Sequence, residues 1–403
     1  MALITAVFAL TSVFVIEPAD PALAGQAYYL APGGSDAQPG TADKPWASFT
    51  YALTRLRPGD SLIVRGGEYR EQIRNPSVAR ATPNQPIRVM RMPGERPTIR
   101  GLLWLRDIDH WIISGIDVTW DPITGESDEH MVKITNGVGW RLEQGEFWGA
   151  RSFAAVLVAS TRADEPRNWT IANNCIHDTE STNGTNEDHL IYANTQTGSG
   201  GTISGNLLFD APNGSGVKLG GPSDDSVGTH DVRVIHNTIA HTGQNILIAW
   251  TSSRNEVVGN LLIGVEGNRS NIRAYQLSGT DNVATGNAGG GSGSLFEGDT
   301  GYLAVADGGG NVWPFDPGFP SEFSCDDLGA SNPSAAQYGH FATDPSPDIY
   351  FDDIAASSHA ADINAIAEAN ITRGCAPRLY CPTNPVTRAE MASFIARALD
   401  LAP

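Results

Sequence analysis

The sequence is poor in charged residues, and above all in lysine. Charged side chains make up 18% of its 403 residues, and three of the 26 basic ones are lysines, Lys44, Lys133 and Lys218. The 45 acidic residues give a formal net charge of −19. Binding to duplex DNA needs a basic surface for phosphate contacts, so this balance excludes nucleic acid as an expected partner. The few lysines become informative positions.

Long apolar runs and long helical periods are also scarce. Beyond the N-terminus, no stretch is apolar enough to span a bilayer. The 44 Gly and 25 Pro argue against a coiled coil, and the absence of a glycine triplet period excludes collagen. The hydrophobic fraction of 40% is still large enough to bury a core. The length suits two or three domains or one long all-β body.

The N-terminus is the apolar exception. Residues 2–16 form an apolar run, and Ala22, Leu23 and Ala24 follow as a small-x-small cleavage signal. The pattern predicts a signal peptide over residues 1–24 and therefore export. It departs from the usual signal because no Lys or Arg precedes the run. An amphipathic cap strand is the alternative.

A short phrase with the form of Ile203-Ser204-Gly205-Asn206 recurs along the chain. Its fourth position falls at residues 116, 145, 174, 206, 237, 260 and 287, in steps of 23 to 32 residues. Each unit holds short β-branched runs between Gly, Asn, Asp and Ser, without a helical period. This predicts an all-β, parallel β-helix with about 29 residues in each rung, where a rung is one turn of the chain. A propeller, with about 40 residues per blade, is the competing fold.

Asparagine is concentrated in the repeat. Of 24 Asn, 16 lie between Asn168 and Asn287, and one phase of the repeat carries Asn at 174, 206, 237, 260 and 287. Stacked rungs would place these amides above one another, where they hydrogen-bond along the stack. The asparagines are therefore expected to be structural.

The start of the mature chain resembles a known family. The segments 28–36, 44–46 (Lys-Pro-Trp), 56–60 and 65–71 are similar to the N-terminal cap of secreted right-handed parallel β-helix proteins of the polysaccharide-lyase-like superfamily. Residues 46–56 would form a helix that covers the first rung. The resemblance extends to about residue 340. It implies a cap and first rung over 25–101 and a β-helix over 102–344.

The composition changes after residue 345. Phe351-Asp352-Asp353-Ile354, Ile371-Thr372-Arg373-Gly374 and Thr387-Arg388-Ala389-Glu390 together resemble one S-layer homology module over 345–403. Thr387 and Glu390 have the spacing of a capping box, which predicts a helix start. The family implies binding to cell-wall polymers, with Asp353 and Arg388 as contacts. Such modules usually act in threes, so a small folding cap or assembly contact is the alternative.

Four cysteines allow three full pairings. Cys375 and Cys381 enclose a short loop, which predicts a disulfide in an exported protein. Cys175 lies in an apolar strand and is expected to be a packed thiol. Its pairing with Cys325 stays open.

One strand per repeat can be aligned by its in-out-in alternation. Because side chains alternate between faces, the middle residues form an outward row. The row consists of Lys133, Leu157, Tyr192, Lys218, Leu247 and Arg273. Two of the three lysines fall in it, and Asp188 and His189 begin the Tyr192 strand. The row suits the binding of an anionic sugar chain. A solvated sheet face with extended Lys and Arg side chains would give the same sequence pattern and is the alternative.

A polyuronide lyase needs a cation, a base and an acid. The candidates for these roles are Lys218, Arg273, Tyr192 and His189, with Lys133 and Asp188 as substrate-binding residues. Lys218 resembles the position of the lysine base in calcium-dependent β-helix lyases, which makes calcium a possible cofactor. Their calcium-binding Asp cluster is not evident, since Asp224-Asp225 falls out of phase.

Other functions remain open. A glycoside hydrolase would need two carboxylates, and Asp178, Glu187, Asp188 and Asp210 are available without a motif to select a pair. His177-Asp178, Asp210 and His241 are expected to be turn residues rather than metal ligands. The two leading hypotheses are therefore a secreted protein that binds, and as a lyase cleaves, an acidic or cell-wall polysaccharide, and a non-catalytic surface protein whose β-helix is a stiff spacer.

Overall fold

A computed structural model provides the fold. It describes residues 25–342 except 124–129, 152, 162–164, 180–187, 197, 222–227, 266–268, 292, 321–322 and 326–328, and also 354, 359, 363, 366, 372, 375 and 380–398. The predicted signal peptide, residues 1–24, lies outside the described residues.

The described chain is all-β, with mostly parallel strands and few helices. In chain order the strands are β1 (Ala27–Leu30), β2 (Ser61–Val64), β3 (Gly67–Arg74), β4 (Ile87–Arg91), β5 (Pro97–Arg106), β6 (Trp111–Ser114), β7 (Asp117–Thr119), β8 (Val132–Thr135), β9 (Arg141–Glu143), β10 (Glu146–Trp148), β11 (Ala154–Ala159), β12 (Trp169–Ala172), β13 (Cys175–His177), β14 (His189–Asn194), β15 (Ser199–Ser204), β16 (Leu207–Leu219), β17 (His230–Ile235), β18 (Thr238–Ala249), β19 (Glu256–Val258), β20 (Leu261–Val265), β21 (Ile272–Tyr275), β22 (Val283–Thr285), β23 (Ala288–Gly290), β24 (Phe296–Gly298) and β25 (Ala306–Asp307). The helices are α1 (Phe49–Leu53), two 3₁₀ helices (Pro333–Gln337 and Gly339–Phe341) and α2 (Arg388–Ala398).

The strands form two long parallel sheets. The first has the order β1-β2-β4-β6-β9-β12-β15-β17-β19-β22-β25. The second contains three long strands, β5, β16 and β18, that each pair with two series of short strands. For example, β16 pairs with β13 through Leu207 and with β14 through Val217. We call the two parts strip A (β8, β11, β14, β21, β24 and the C-terminal halves of β3, β5, β16 and β18) and strip B (β7, β10, β13, β20, β23 and the N-terminal halves of β3, β5, β16 and β18).

Buried asparagines connect successive layers, as the repeat predicted. Asn174 Nδ2 donates to Asn206 Oδ1 at 3.0 Å, and the same bond joins Asn206 to Asn237 at 2.8 Å, at sequence separations of 32 and 31 residues. The ladder continues through Asn260 and Asn287 and ends at Asn311, which the sequence analysis did not include. A second, shorter ladder joins Asn255 to Asn282 at 2.8 Å.

The core lies between the sheets and is filled by inward side chains of every layer. Trp111, Trp140 and Trp169 are fully buried, and the rings of Trp140 and Trp169 stack 5.7 Å apart. This apolar column is the main source of stability, at roughly 25 cal/mol for each Å² of apolar surface removed from water.

Helix α1 covers the N-terminal end of this core. The Ser48 hydroxyl accepts the Tyr51 N–H, and the Glu71 carboxylate accepts the N–H of Phe49 and of Thr50. These oxygens satisfy donors that every helix start leaves open. Within the predicted capping stretch 46–56, the helix itself spans five residues.

A disulfide corrects the prediction for Cys175. Cys175 is bonded to Cys325 across a sequence separation of 150 residues, so it is not a packed thiol. The prediction failed because burial alone does not distinguish a thiol from a bridged cysteine. Phe319 and Phe323 pack on Leu207 and Phe209. We call the stretch that holds Phe319, Phe323 and Cys325 the closing segment.

In the C-terminal part, Cys375 and Cys381 are also disulfide-bonded. The predicted capping box is present: Glu390 N–H donates to Thr387 Oγ1 at 3.2 Å, and Thr387 N–H donates to Glu390 Oε2 at 2.8 Å. Helix α2 follows directly. No helix in the described parts of the chain is long and apolar enough to cross a membrane.

Candidate functional site

The predicted outward row is present on strip A. The registers pair Lys133 with Leu157, Leu157 with Tyr192, Tyr192 with Lys218, Lys218 with Leu247 and Leu247 with Arg273. The neighbours of Lys218 along its strand, Val217 and Leu219, are buried in the core, so the row points away from it. The register of the row is therefore confirmed, but Leu157, Tyr192 and Leu247 are only 5–7% exposed, so Lys133, Lys218 and Arg273 are its more accessible members. The roles of the members stay predictions.

Two lysines of the row lie over aromatic rings. Lys218 Nζ is 4.5 Å from the centroid of the Tyr192 ring, and Lys133 Nζ is 4.4 Å from that of the Trp104 ring. Each pair is a cation–π contact. Both lysines are partly buried, and Tyr192 is 7% exposed. The contacts hold the two ammonium groups close to the sheet.

His189 begins β14 next to the row and is buried in a neutral form. The Ser215 N–H donates to its Nδ1 at 3.0 Å, so the ring proton is on Nε2. Its ring meets the Tyr192 ring edge-on at 5.4 Å. Burial, then the nearby charges of Lys218 and His130, hold the pKa of His189 well below its usual value. The residue is therefore a hydrogen-bond donor rather than a cation.

A second histidine, His130, was missed by the sequence analysis. Burial lowers its pKa to about 4, and the charge of Lys133 adds to this effect. Its ring contacts the Phe153 ring at 5.8 Å. A usable signal existed, because His130 precedes Lys133 by the same three positions that separate His189 from Tyr192.

Arg273 ends the row but is engaged by acidic neighbours. Its Nη2 is 3.4 Å from Asp299 Oδ1, and its Nε is 3.8 Å from Glu297 Oε1. Its Nη1 donates to Gln244 Oε1 at 3.4 Å. Two carboxylates therefore neutralise part of the charge of this guanidinium. Arg273 would attract a bound anion less strongly than an arginine without acidic neighbours.

Asp188 is more buried than a residue at the edge of an open groove. It is 2% exposed, and its backbone carbonyl accepts a hydrogen bond from Thr179 Oγ1 at 2.9 Å. Asp188 directly precedes β14. Its role in substrate binding stays a prediction.

The other candidate carboxylates belong to histidine pairs away from the row. His177 Nδ1 lies 2.9 Å from Asp178 Oδ2, and His241 Nδ1 lies 3.1 Å from Asp210 Oδ1. Asp178 and Asp210 have φ values of 54° and 57°, in the left-handed region. The prediction of turn residues is wrong for His177, Asp210 and His241, which lie in β13, β16 and β18, because a single left-handed residue at Asp210 or His241 is accommodated inside a long strand. Glu187 and Asp224-Asp225 lie outside the described residues.

A calcium site does not fit the described residues. Among the described residues, one group of three side chains that could ligate a metal has donor atoms within 4.8 Å of one another. The group consists of Cys175, His177 and Cys325. Its cysteines are bonded to each other, and calcium takes oxygen ligands. We therefore derive no catalytic step through calcium.

The cell-wall contacts predicted at the C-terminus are partly described. Arg388 is the first residue of α2 and is exposed. Asp353 lies outside the described residues.

Comparison with known families supports the C-terminal resemblance. Residues 350–392 match the S-layer homology domain. This match confirms the module that the three short motifs predicted. A search of curated proteins gave no match for the chain.

Solved structures match the β-sheet part. The complex of XylC with xylose has a TM-score of 0.51 at 14% identity and covers 66% of this chain and 67% of its own. Pectate lyase Pel9A has a TM-score of 0.49 at 14% identity, covering 72% and 80%, and an alginate lyase from Paenibacillus sp. str. FPU-7 has 0.40 at 10%, covering 71% and 99%. The likeness to XylC shows a common parallel β-helix-like fold and nothing about activity. The other two are too distant to carry an argument.

Proposed function

We propose that the protein is a secreted cell-surface protein, with a right-handed parallel β-helix of about 29 residues per rung, that binds an acidic polysaccharide along the strip A row. The observation that supports this is the alignment of Lys133, Tyr192, Lys218 and Arg273 on neighbouring strands of a chain whose formal net charge is −19. A local row of cations on an acidic surface favours an anionic ligand.

The dimensions of the row suit a polymer. Its six residues stand on six adjacent strands, and neighbouring strands are about 4.8 Å apart, so the row is roughly 24 Å long. Several sugar units would lie across it. A single small sugar would use only part of it.

We further propose that the row cleaves a polyuronide by β-elimination. Lys218 in its neutral form takes the proton alpha to the carboxylate, and that C–H electron pair becomes the new C=C bond. The bond from the β-carbon to the glycosidic oxygen breaks, and Tyr192 gives this oxygen a proton, with the neutral His189 beside it as a hydrogen-bond donor. Arg273, two strands from Lys218, balances the charge that develops on the carboxylate, while Lys133, three strands away on the other side, binds the polymer.

The test is a panel of polyuronides and glycosaminoglycans, read by ultraviolet absorbance of unsaturated ends. We expect one polymer to be cleaved by the wild type and the Lys218→Arg variant to bind it while losing about 10²-fold or more in rate, because arginine keeps the charge but cannot act as the base. No turnover on any polymer, with Lys218→Ala leaving binding unchanged, would contradict both parts of the proposal.

The non-catalytic alternative is supported by Arg273, whose charge is already shared by Asp299 and Glu297. A stiff spacer that binds sugar without cleaving it would give binding but no unsaturated ends. A glycoside hydrolase has less support, because Asp178 and Asp210 are paired with histidines and Asp188 is buried. It would release reducing ends without unsaturation.

The match over residues 350–392 supports cell-surface anchoring, with Asp353 and Arg388 as the proposed contacts to a cell-wall polymer.

A further inference from the structure

The strip A row continues beyond Lys133 toward the N-terminal end of the stack. The register pairs Lys133 with Trp104 and Trp104 with Arg74, so two more residues extend the row. Arg106 lies two positions after Trp104 on β5, opposite Thr135. Trp104 and Arg106 are partly exposed and Arg74 is exposed, so a ligand can reach all three.

At this end of the row, Lys133 and Arg106 differ in their ion pairing from other basic residues of the chain. Arginines elsewhere have carboxylate partners, such as Arg65 with Glu95 at 2.9 Å and Arg254 with Asp231 at 2.8 Å. Among the residues that the structure describes, neither Lys133 nor Arg106 forms an ion pair, and the buried Nε of Arg106 has no hydrogen-bond partner. A buried donor without an acceptor costs about 1–3 kcal/mol, which a bound acceptor would recover.

The nearest acidic residue in sequence is turned to other partners. Asp107 follows Arg106, but its carboxylate lies 3.3 Å from Arg80 Nη2 and accepts a hydrogen bond from Asn136 Nδ2 at 2.9 Å. Burial, and then the charge of Arg106, lower the pKa of Lys133. The two cations are therefore close enough to repel each other, and an anion between them would relieve the repulsion.

Trp104 supplies the other half of a sugar site. Its indole N–H donates to Thr135 Oγ1 at 3.3 Å, which fixes the orientation of the ring on the sheet. Lys133 Nζ lies over this ring, and an anion that binds the ammonium competes with this contact. The apolar face is then available for stacking with a sugar ring.

We propose that Trp104, Arg106 and Lys133 form an anionic-sugar subsite that binds the carboxylate of a uronic acid unit three to four strands from Lys218, with Arg74 at its outer edge. The inference rests on the proposed function, since it assigns one end of the same polymer-binding row. It adds Trp104 and Arg106 as binding residues that discriminate an acidic from a neutral sugar.

The test compares galacturonate and mannuronate hexamers with carboxyl-reduced hexamers of the same length, using calorimetry on the full chain. We expect Arg106→Gln to weaken binding of a uronate hexamer about tenfold, equivalent to about 1.4 kcal/mol, and to leave the weaker binding of its neutral counterpart unchanged. Trp104→Ala is expected to weaken both. Arg65→Gln, which removes an arginine that follows β2 and is paired with Glu95, is the matched control and is expected to change neither.

A second measurement reads the site without turnover. Since the chain has three lysines, ¹³C-methylation of lysine gives three sites to follow by NMR. We expect Arg106→Gln to raise the pKa of Lys133, and a uronate hexamer to shift the Lys133 signal in the wild type. If the wild type binds a uronate hexamer and Arg106→Gln binds it equally well, the subsite is wrong while the proposed function stands. If the wild type binds neither uronate hexamer, both are wrong.

Discussion

At the scale of single residues, the asparagine ladder shows how a polar side chain stabilises a buried turn. Asn237 Nδ2 donates to Ile203 O at 2.8 Å and to Asn260 Oδ1 at 3.0 Å, while its Oδ1 accepts the N–H of Asn206 at 3.0 Å. Asn237 is fully buried, so no water competes for these groups. Each amide thus satisfies backbone groups of the layers on both sides.

Replacing Asn237 by Ala is expected to lower the free energy of unfolding by about 1–3 kcal/mol or more, because the Asn206 N–H and the Ile203 carbonyl lose their partners in a buried place. Denaturant unfolding measures the change. The exposed Asn84→Ala variant is the control and is expected to stay within about 0.5 kcal/mol of the wild type. Equal effects at the two positions would show that the ladder is not structural.

His177 adds a pH-dependent contribution at the same scale. Its ring stacks 4.7 Å from the Phe209 ring on strip B, and its Nε2 is 3.1 Å from Glu146 Oε1. Burial lowers the pKa of His177, but the hydrogen bonds to Glu146 and Asp178 outweigh it, and the pKa is raised above 6.5. The stabilisation is therefore complete below 6.5 and is lost as pH rises through the folded-state pKa.

We expect the melting temperature of the wild type to fall between about pH 6 and pH 8, and that of His177→Phe to fall less, because phenylalanine keeps the stacking but has no proton to lose. Thermal unfolding by circular dichroism gives both slopes. Parallel slopes in the two proteins would exclude His177 as the titrating group.

The residue scale also marks the limit of prediction from sequence. The ladder and the row were predictable because they repeat at one phase. His130 was missed because it lies two positions before the first aligned segment, and Trp104 because β5 was not among the aligned strands. Gln244 was missed because a neutral side chain signals nothing until its contact with Arg273 is known. The pairing of Cys175 also depends on a segment 150 residues away.

At the scale of elements, the closing segment is tied to strip B by one covalent bond and an aromatic cluster. Phe323 lies 5.6 Å from the Phe209 ring and 4.4 Å from the His241 ring. Cys325 then bonds to Cys175 on β13. Without the closing segment, the rings of Phe209 and His241 on strip B would be more exposed to solvent. The closing segment therefore covers part of the outer surface of strip B.

Loss of this disulfide is expected to destabilise the protein by about 2–4 kcal/mol, since the bond closes a long loop in the unfolded chain. We expect Cys175→Ser, Cys325→Ser and the double variant to be equally destabilised, because each removes the same bond. The Cys375→Ser/Cys381→Ser pair, with a separation of six residues, is the comparison and is expected to cost less. Single effects that add up in the double variant would show that the bond does not form.

At the scale of the whole molecule, a long sheet stack and an S-layer homology segment are joined in one chain. The sequence predicted both, because a repeat and three short motifs are visible without long-range contacts. It did not predict that the second sheet carries two strips on shared long strands, since β16 and β18 cover positions that look like separate short strands. The row lies on one of these strips, with Lys218 on the strip A half of β16.

The anchoring proposal belongs to this scale and is tested by retention on purified cell walls. We expect the full chain to sediment with the walls and a chain without residues 345–403 to stay in solution, because the removed part contains the S-layer homology match. Arg388→Ala is expected to weaken retention in the full chain, since Arg388 is an exposed residue of α2 and a proposed contact to the polymer. Met391→Ala, at another exposed position of α2, is the control and is expected to retain the wild-type level. If the shortened chain is retained as well as the full one, the walls are bound through the β-sheet stack, and the polysaccharide row becomes the candidate for that contact.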